Sequence, residues 1–211
     1  YGATLDIENP CYLKKGDDSA VAALVKDMNA GKVGGLIVCG VNPAYTFPNS
    51  AAFKSGLKKV GLTVSTSLVM DETASLMTYV CPDRHNLESW GDANVFHGQI
   101  SLMQPTIQAL FDSRQMQDSF LEWSDINDDY YSYLKSYWSG KGAWNKFVHD
   151  GVFDFNQGSL GDKFFRGSVK SVATSATGIE LTLYQATAMG DGSQANNPWL
   201  QELPDPVTRA C

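Results

Sequence analysis

One stretch, Gly34-Gly35-Leu36-Ile37-Val38-Cys39-Gly40-Val41-Asn42-Pro43, constrains the fold more than any other part of the chain. Leu36 to Cys39 is an unbroken apolar run with no polar alternation, which predicts a strand of a parallel sheet buried on both faces. Gly40 permits a tight turn, and Asn42-Pro43 ends the strand. The carboxyl end of a parallel strand is where open α/β sheets bind ligands, so a nucleotide-like ligand is one reading. An ordinary strand-to-loop junction is the other.

The flanking residues predict alternation of helices and strands. Asp17 and Asp18 open a helix with Val21, Leu24, Val25 and Met28 on one apolar stripe, and Gly31 closes it. Ser50 caps a second helix, Ala51 to Lys59, with Phe53 and Leu57 turned inward. Leu62 to Ser65 reads as a strand, Glu72 to Met77 as a third helix capped near Asp71, and Tyr79 to Cys81 as a strand cut off by Pro82. This order predicts an α/β fold, a Rossmann-like parallel sheet with flanking helices and right-handed crossovers.

Residues 83–112 read as a long loop with at most one short helix. A helical insertion follows at 113–150: Arg114 to Trp123, Asp128 to Trp138 and Ala143 to His149. Its aromatic cluster (Tyr130, Tyr131, Tyr133, Tyr137, Trp138) suits a core or an interface. Ser168 to Ala173 and Glu180 to Tyr184 predict a small C-terminal β hairpin, and 185–211 an extended connector. The domains are therefore 1–158, α/β with the helical segment, and 159–211.

With 211 residues and 43% hydrophobic composition, a globular core is available. A net charge of -7 argues against nucleic acid or an anionic membrane surface as partner. No run approaches the roughly 18–20 apolar residues of a membrane span. The chain opens at Tyr1 without an initiator Met and closes at Cys211, which suggests an excised fragment, the preferred reading, or a processed product. Cys11, Cys39, Cys81 and Cys211 are too dispersed for a local metal or cluster motif. Cys39 and Cys81 suit small core positions, and Cys11 with Cys211 could pair.

The motifs of common enzyme classes are absent: no Gly-x-Ser-x-Gly elbow, no Walker phosphate loop and no dinucleotide fingerprint. Asp83, Arg84, His85, Glu88 and Asp92 cluster just past the third strand. They could form an acid–base group, as in a small hydrolase using Asp83, His85 and Glu88, or a solvated loop.

Three stretches carry a resemblance. They are Gly40-Val41-Asn42-Pro43; Asp71-Glu72-Thr73-Ala74 leading to Tyr79-Val80-Cys81-Pro82 and Leu87-Glu88-Ser89-Trp90-Gly91-Asp92; and Asn196-Asn197-Pro198-Trp199-Leu200-Gln201-Glu202-Leu203-Pro204-Asp205-Pro206. The first two resemble the molybdopterin oxidoreductase superfamily. Leu87 to Asp92 together with Ser101-Leu102-Met103-Gln104-Pro105-Thr106 is similar to one branch, the iron–sulfur, molybdopterin-oxidoreductase-like subunit of bacterial alternative complex III, a quinol oxidoreductase.

The resemblance implies that Asn42, Asp71 and Glu88 stand at cofactor-pocket positions, vestigial in this branch. It implies no pterin cofactor in this fragment, with iron–sulfur clusters elsewhere in the parent chain. The partners would be other regions of that chain and membrane-complex subunits, at the outer, periplasmic face of the cytoplasmic membrane. The alternative it leaves open is a domain of an active molybdenum enzyme binding molybdopterin guanine dinucleotide.

Overall fold

The computed structural model describes residues 10–12, 16–155, 158, 178–179 and 186–205. The chain divides into two units, Tyr1–Lys163 and Phe164–Cys211. The strands expected over 168–173 and 180–184 and the Cys211 end of a Cys11 pairing lie outside the described residues.

The first unit begins with helix α1, Asp18–Asn29, whose N-cap Asp17 accepts from the Ala20 amide. Only the second half of its expected stripe is packed: Val25 and Met28 are buried, whereas Val21 and Leu24 are exposed. Gly31, at φ +70°, ends the helix. Strand β1, Gly35–Val38, follows, and Gly40 (φ +61°) turns the chain into the short helix α2, Pro43–Thr46. Pro43 thus starts a helix as well as stopping the strand, because its missing N–H is not needed at a helix's first position.

Helix α3, Ser50–Leu57, is capped by Asn49, one residue earlier than expected. Strand β2 is Leu62–Ser65, as predicted, and β3 is Tyr79–Val80. The expected helix over Glu72–Met77 is only a 3₁₀ turn, Ala74–Leu76. Asp71 draws the amides of Thr73 and Ala74 onto its side chain, which favours a tight turn over a regular helix.

The three strands form a parallel sheet in the order β1-β2-β3, with Leu36 opposite Thr63 and Val64 opposite Tyr79. Leu36 packs on a core of Val25, Met28, Ala44, Phe53, Leu57 and Val60. Helices α1 and α3 meet closely at Gly56, where a Cβ would stand 2.9 Å from that of Met28. The prediction that β1 is buried on both faces is corrected. Among the described strands it stands at the edge, and Ile37, whose side chain alternates away from Leu36, is 46% exposed. Cys39 and Cys81 lie just past their strands, half-buried and free, not in the core.

The long loop expected over 83–112 is mostly ordered structure. Strands β4, Gly91–Phe96, and β5, Gln99–Met103, form a hairpin, and β6, Val152–Asp154, adds to β5 to complete a small antiparallel sheet. The hairpin turns at His97-Gly98, with Gly98 at φ +76°. Helices α4 (Met116–Trp123), α5 (Tyr130–Ser139) and α6 (Trp144–Asp150) match the helical insertion. Their core joins Ile100, Leu134, Trp138, Trp144 and Phe147. Gly142 is required there, since a Cβ would lie 2.5 Å from the Phe153 ring. The fold is α/β, with a three-stranded parallel sheet, flanking helices and a small antiparallel sheet.

In the second unit, residues 187–196 are turns, and Asn197 caps a short helix α7, Pro198–Gln201.

Candidate functional site

The loops leaving β1 and β2 are joined through one buried side chain, Thr73. Its hydroxyl donates to Asn42 Oδ1 (2.6 Å) and accepts from the Ala44 amide (2.9 Å). Its amide N–H is shared between Asn42 Oδ1 (3.2 Å) and Asp71 Oδ1 (2.9 Å). Asp71 Oδ1 also accepts from the Ala74 amide, and Asp71 Oδ2 from the Ser67 hydroxyl at 2.8 Å.

The other end of Asn42, Nδ2, donates to Glu72 Oε2 at 2.6 Å, and this bond holds the exposed Glu72 carboxyl below its usual range. The backbone carbonyl of Asn42 accepts from the amides of Tyr45 and Thr46. The structure therefore brings Asn42 and Asp71 together, with every bond they make directed inward at their own loops. Thr73 is the residue that sequence reasoning passed over. The signal was Asp71-Glu72-Thr73, a carboxylate two residues before a hydroxyl in a turn.

One neighbour is left unsatisfied. Thr66, directly after β2, is buried, and its Oγ1 has no hydrogen-bond partner among the described residues, although its amide donates to the Val38 carbonyl at 3.0 Å.

Glu88 shares none of these partners. It is buried at the end of a 3₁₀ turn, Asn86–Glu88. Its Oε1 accepts from the Leu110 amide and its Oε2 from the His85 amide, both at 2.9 Å. These two bonds, Leu110's first, hold its carboxyl below the usual range. The Leu87 carbonyl adds bonds from the amides of Thr106 and Ile107. Glu88 is thus a staple between two loops.

The acid–base reading of this region is corrected by the same geometry. The exposed His85 ring uses Nδ1 to accept from the Leu87 amide, and Asp83 Oδ1 accepts from the amides of Arg84 and Met116. Each carboxylate binds backbone N–H groups, so no proton relay links Asp83, His85 and Glu88. Among the described residues no group of three or more His, Cys, Asp or Glu is placed to hold a metal ion. Among them, too, no helix is long and apolar enough to cross a membrane.

No family model matches the chain. Over 90 residues, 41% of its length, it is 32% identical to the menaquinone reductase, molybdopterin-binding-like subunit, of Nitratidesulfovibrio vulgaris. The chain is a distant relative of a molybdopterin-binding-like subunit. It spans 13% of that relative's length. Its fold is similar to that of acetylene hydratase from Pelobacter acetylenicus, with a TM-score of 0.54 and 17% identity. That match covers 64% of this chain and 20% of the hydratase. The sequence resemblance to molybdopterin oxidoreductases is thus supported at the level of distant kinship and fold. The narrower likeness to alternative complex III and its iron–sulfur chemistry rests on the motifs alone.

Proposed function

We propose that this chain is a non-catalytic scaffold portion of a membrane-associated iron–sulfur electron-transfer subunit, one whose molybdopterin-like region works without a pterin cofactor. In this reading the clusters lie elsewhere in the parent polypeptide, the complex faces the periplasm, and the chain holds the cluster-bearing part against neighbouring subunits.

The observation that carries the reading is the chemistry of the strand-end loops. A dinucleotide diphosphate needs free N–H donors or cations. Here the amides of Ala44, Tyr45, Thr46, Thr73 and Ala74 are already bonded within the loops. Gly40 to Phe53 and Val60 to Asp83 contain no Lys or Arg, while Asp71 and Glu72 add carboxylates. The remaining side chains on these loops include Val41, Tyr45, Leu68, Val69 and Met70, all exposed and apolar apart from the tyrosine hydroxyl. The residues present do not suit the phosphates of molybdopterin guanine dinucleotide. They suit contact with protein.

The test is to purify the full-length parent and assay molybdenum, iron and released guanine nucleotide together. Iron without molybdenum or guanine nucleotide is the expected result. Molybdenum with about two guanine nucleotides per metal overturns the proposal and makes the chain a working cofactor domain.

A further inference from the structure

An open cleft of about 450 Å³ lies between α5, the β4–β5 hairpin and Phe155, built from residues other than those of the β1 and β2 loops. Tyr130, Tyr133, Tyr137 and Trp138 supply aromatic surface, and Asp92 and Lys141 supply one charge of each sign. Both charged groups already have partners, and the Tyr130 hydroxyl is one of those of Asp92. Trp138 Nε1 donates to Asp92 Oδ2 at 2.8 Å, and Lys141 Nζ donates to the Tyr137 hydroxyl at 2.8 Å. The Lys141 ammonium also stands 4.0 Å from the centroid of the Tyr137 ring and 4.7 Å from that of Trp138.

These features select the class of ligand. A cation here meets Lys141 as well as Asp92, and an anion meets Asp92 as well as Lys141, so a net charge of neither sign is favoured. A carboxylate offers about four acceptor positions and an ammonium three donors, so both groups can bond beyond their present partners. Tyr133 and Tyr137 are half-exposed and present rings beside them. A neutral ring with hydroxyls on its rim and C–H groups on its faces answers all of these at once. The volume lies within the range of small-molecule sites, roughly 300–1,000 Å³. We infer that the cavity binds a neutral polyhydroxylated ring, a monosaccharide or the terminal unit of a short oligosaccharide. Asp92 and Lys141 hold its hydroxyls, and the tyrosine rings pack on its faces.

The experiment is a saturation-transfer NMR titration of the full chain with glucose, galactose, maltose and cellobiose. Tetramethylammonium, acetate and glycine serve as charged and zwitterionic comparisons. At least one sugar is expected to bind saturably with a Kd of about 1–20 mM. Asp92→Asn should weaken it about tenfold, and Tyr133→Ala, at an exposed position, about fivefold with an unchanged circular dichroism spectrum. If Asp92→Asn fails to fold, Tyr133→Ala decides alone. Absence of saturable sugar binding up to about 100 mM overturns the inference. So does sugar binding indifferent to Tyr133→Ala, or saturable binding of only the comparison compounds.

Discussion

The two halves of the first unit solve the problem of a small core differently. The parallel half relies on aliphatic side chains, Val25, Met28, Leu57 and Val60 with Phe53, covering one face of its sheet. On the other face the central Val64 is buried, but Ile37, Leu62 and Tyr79 around it are exposed. Parallel sheets are ordinarily covered on both faces. The antiparallel half closes on itself through rings: Trp138 alone meets Tyr137, Phe147, Phe153 and Phe155 with centroids 5.0–6.1 Å apart. The contrast separates a self-sufficient aromatic core from a sheet finished on one side only.

The sharpest way to break that contrast is Trp138→Ala. It removes a buried ring and takes one donor from the Asp92 carboxylate, which keeps the Tyr130 hydroxyl. A loss of about 3–5 kcal/mol is expected in urea unfolding, more than for any single aliphatic truncation to valine in the parallel half. Thr73→Val tests the polar rim of the parallel half. It leaves the Ala44 amide without its partner and Asn42 Oδ1 with only the Thr73 amide, and should cost about 1–3 kcal/mol, read from the same denaturant midpoints.

Thr66→Val has the opposite sign. A hydroxyl buried without a partner is replaced by a methyl of similar shape, so stability should rise by about 0.5–1 kcal/mol. A fall would show that the hydroxyl has a partner in solution.

A further effect concerns alkaline pH and the aromatic half. Burial, with Asp92 beside it, pushes the Tyr130 hydroxyl up to about 12. A group whose pKa is raised on folding stabilises the folded state below its unfolded value, about 10 for tyrosine. That contribution fades as pH climbs toward 12. Urea midpoints should therefore fall between about pH 10 and pH 12 in the parent chain and fall less in Tyr130→Phe. Equal slopes would remove Tyr130 as the cause.

The parallel half was the more legible in sequence, because its elements are punctuated. Gly34, Gly40 and Pro43 bracket β1, and Pro82 follows β3 closely. What misled there was the neighbourhood: apolar Ile37 reads as buried from its own strand, but it lies on the open face of the sheet, where Leu62 of the central strand is equally exposed. The β4–β5 hairpin escaped because Gly91-Asp92-Ala93-Asn94 is poor in strand-forming residues, and its stability comes from packing on α5 and α6. The turn dipeptide His97-Gly98 was the available clue.

Of the candidate site, Asn42, Asp71 and Glu88 stood out as motif residues. Their role as acceptors of nearby backbone amides depends on chain reversals that no residue spacing reveals. Thr73, which joins two of them, looked like one more polar residue in a turn.

The bond between Glu88 and the Leu110 amide has a consequence for how freely its loop can change. The side chains of Leu110 and Phe111 point outward, 71% and 82% exposed, while the main chain beneath them is pinned to a carboxylate fixed elsewhere. Shape and surface are thereby uncoupled. The tip can exchange its side chains, and so its recognition properties, without redrawing the path of the backbone.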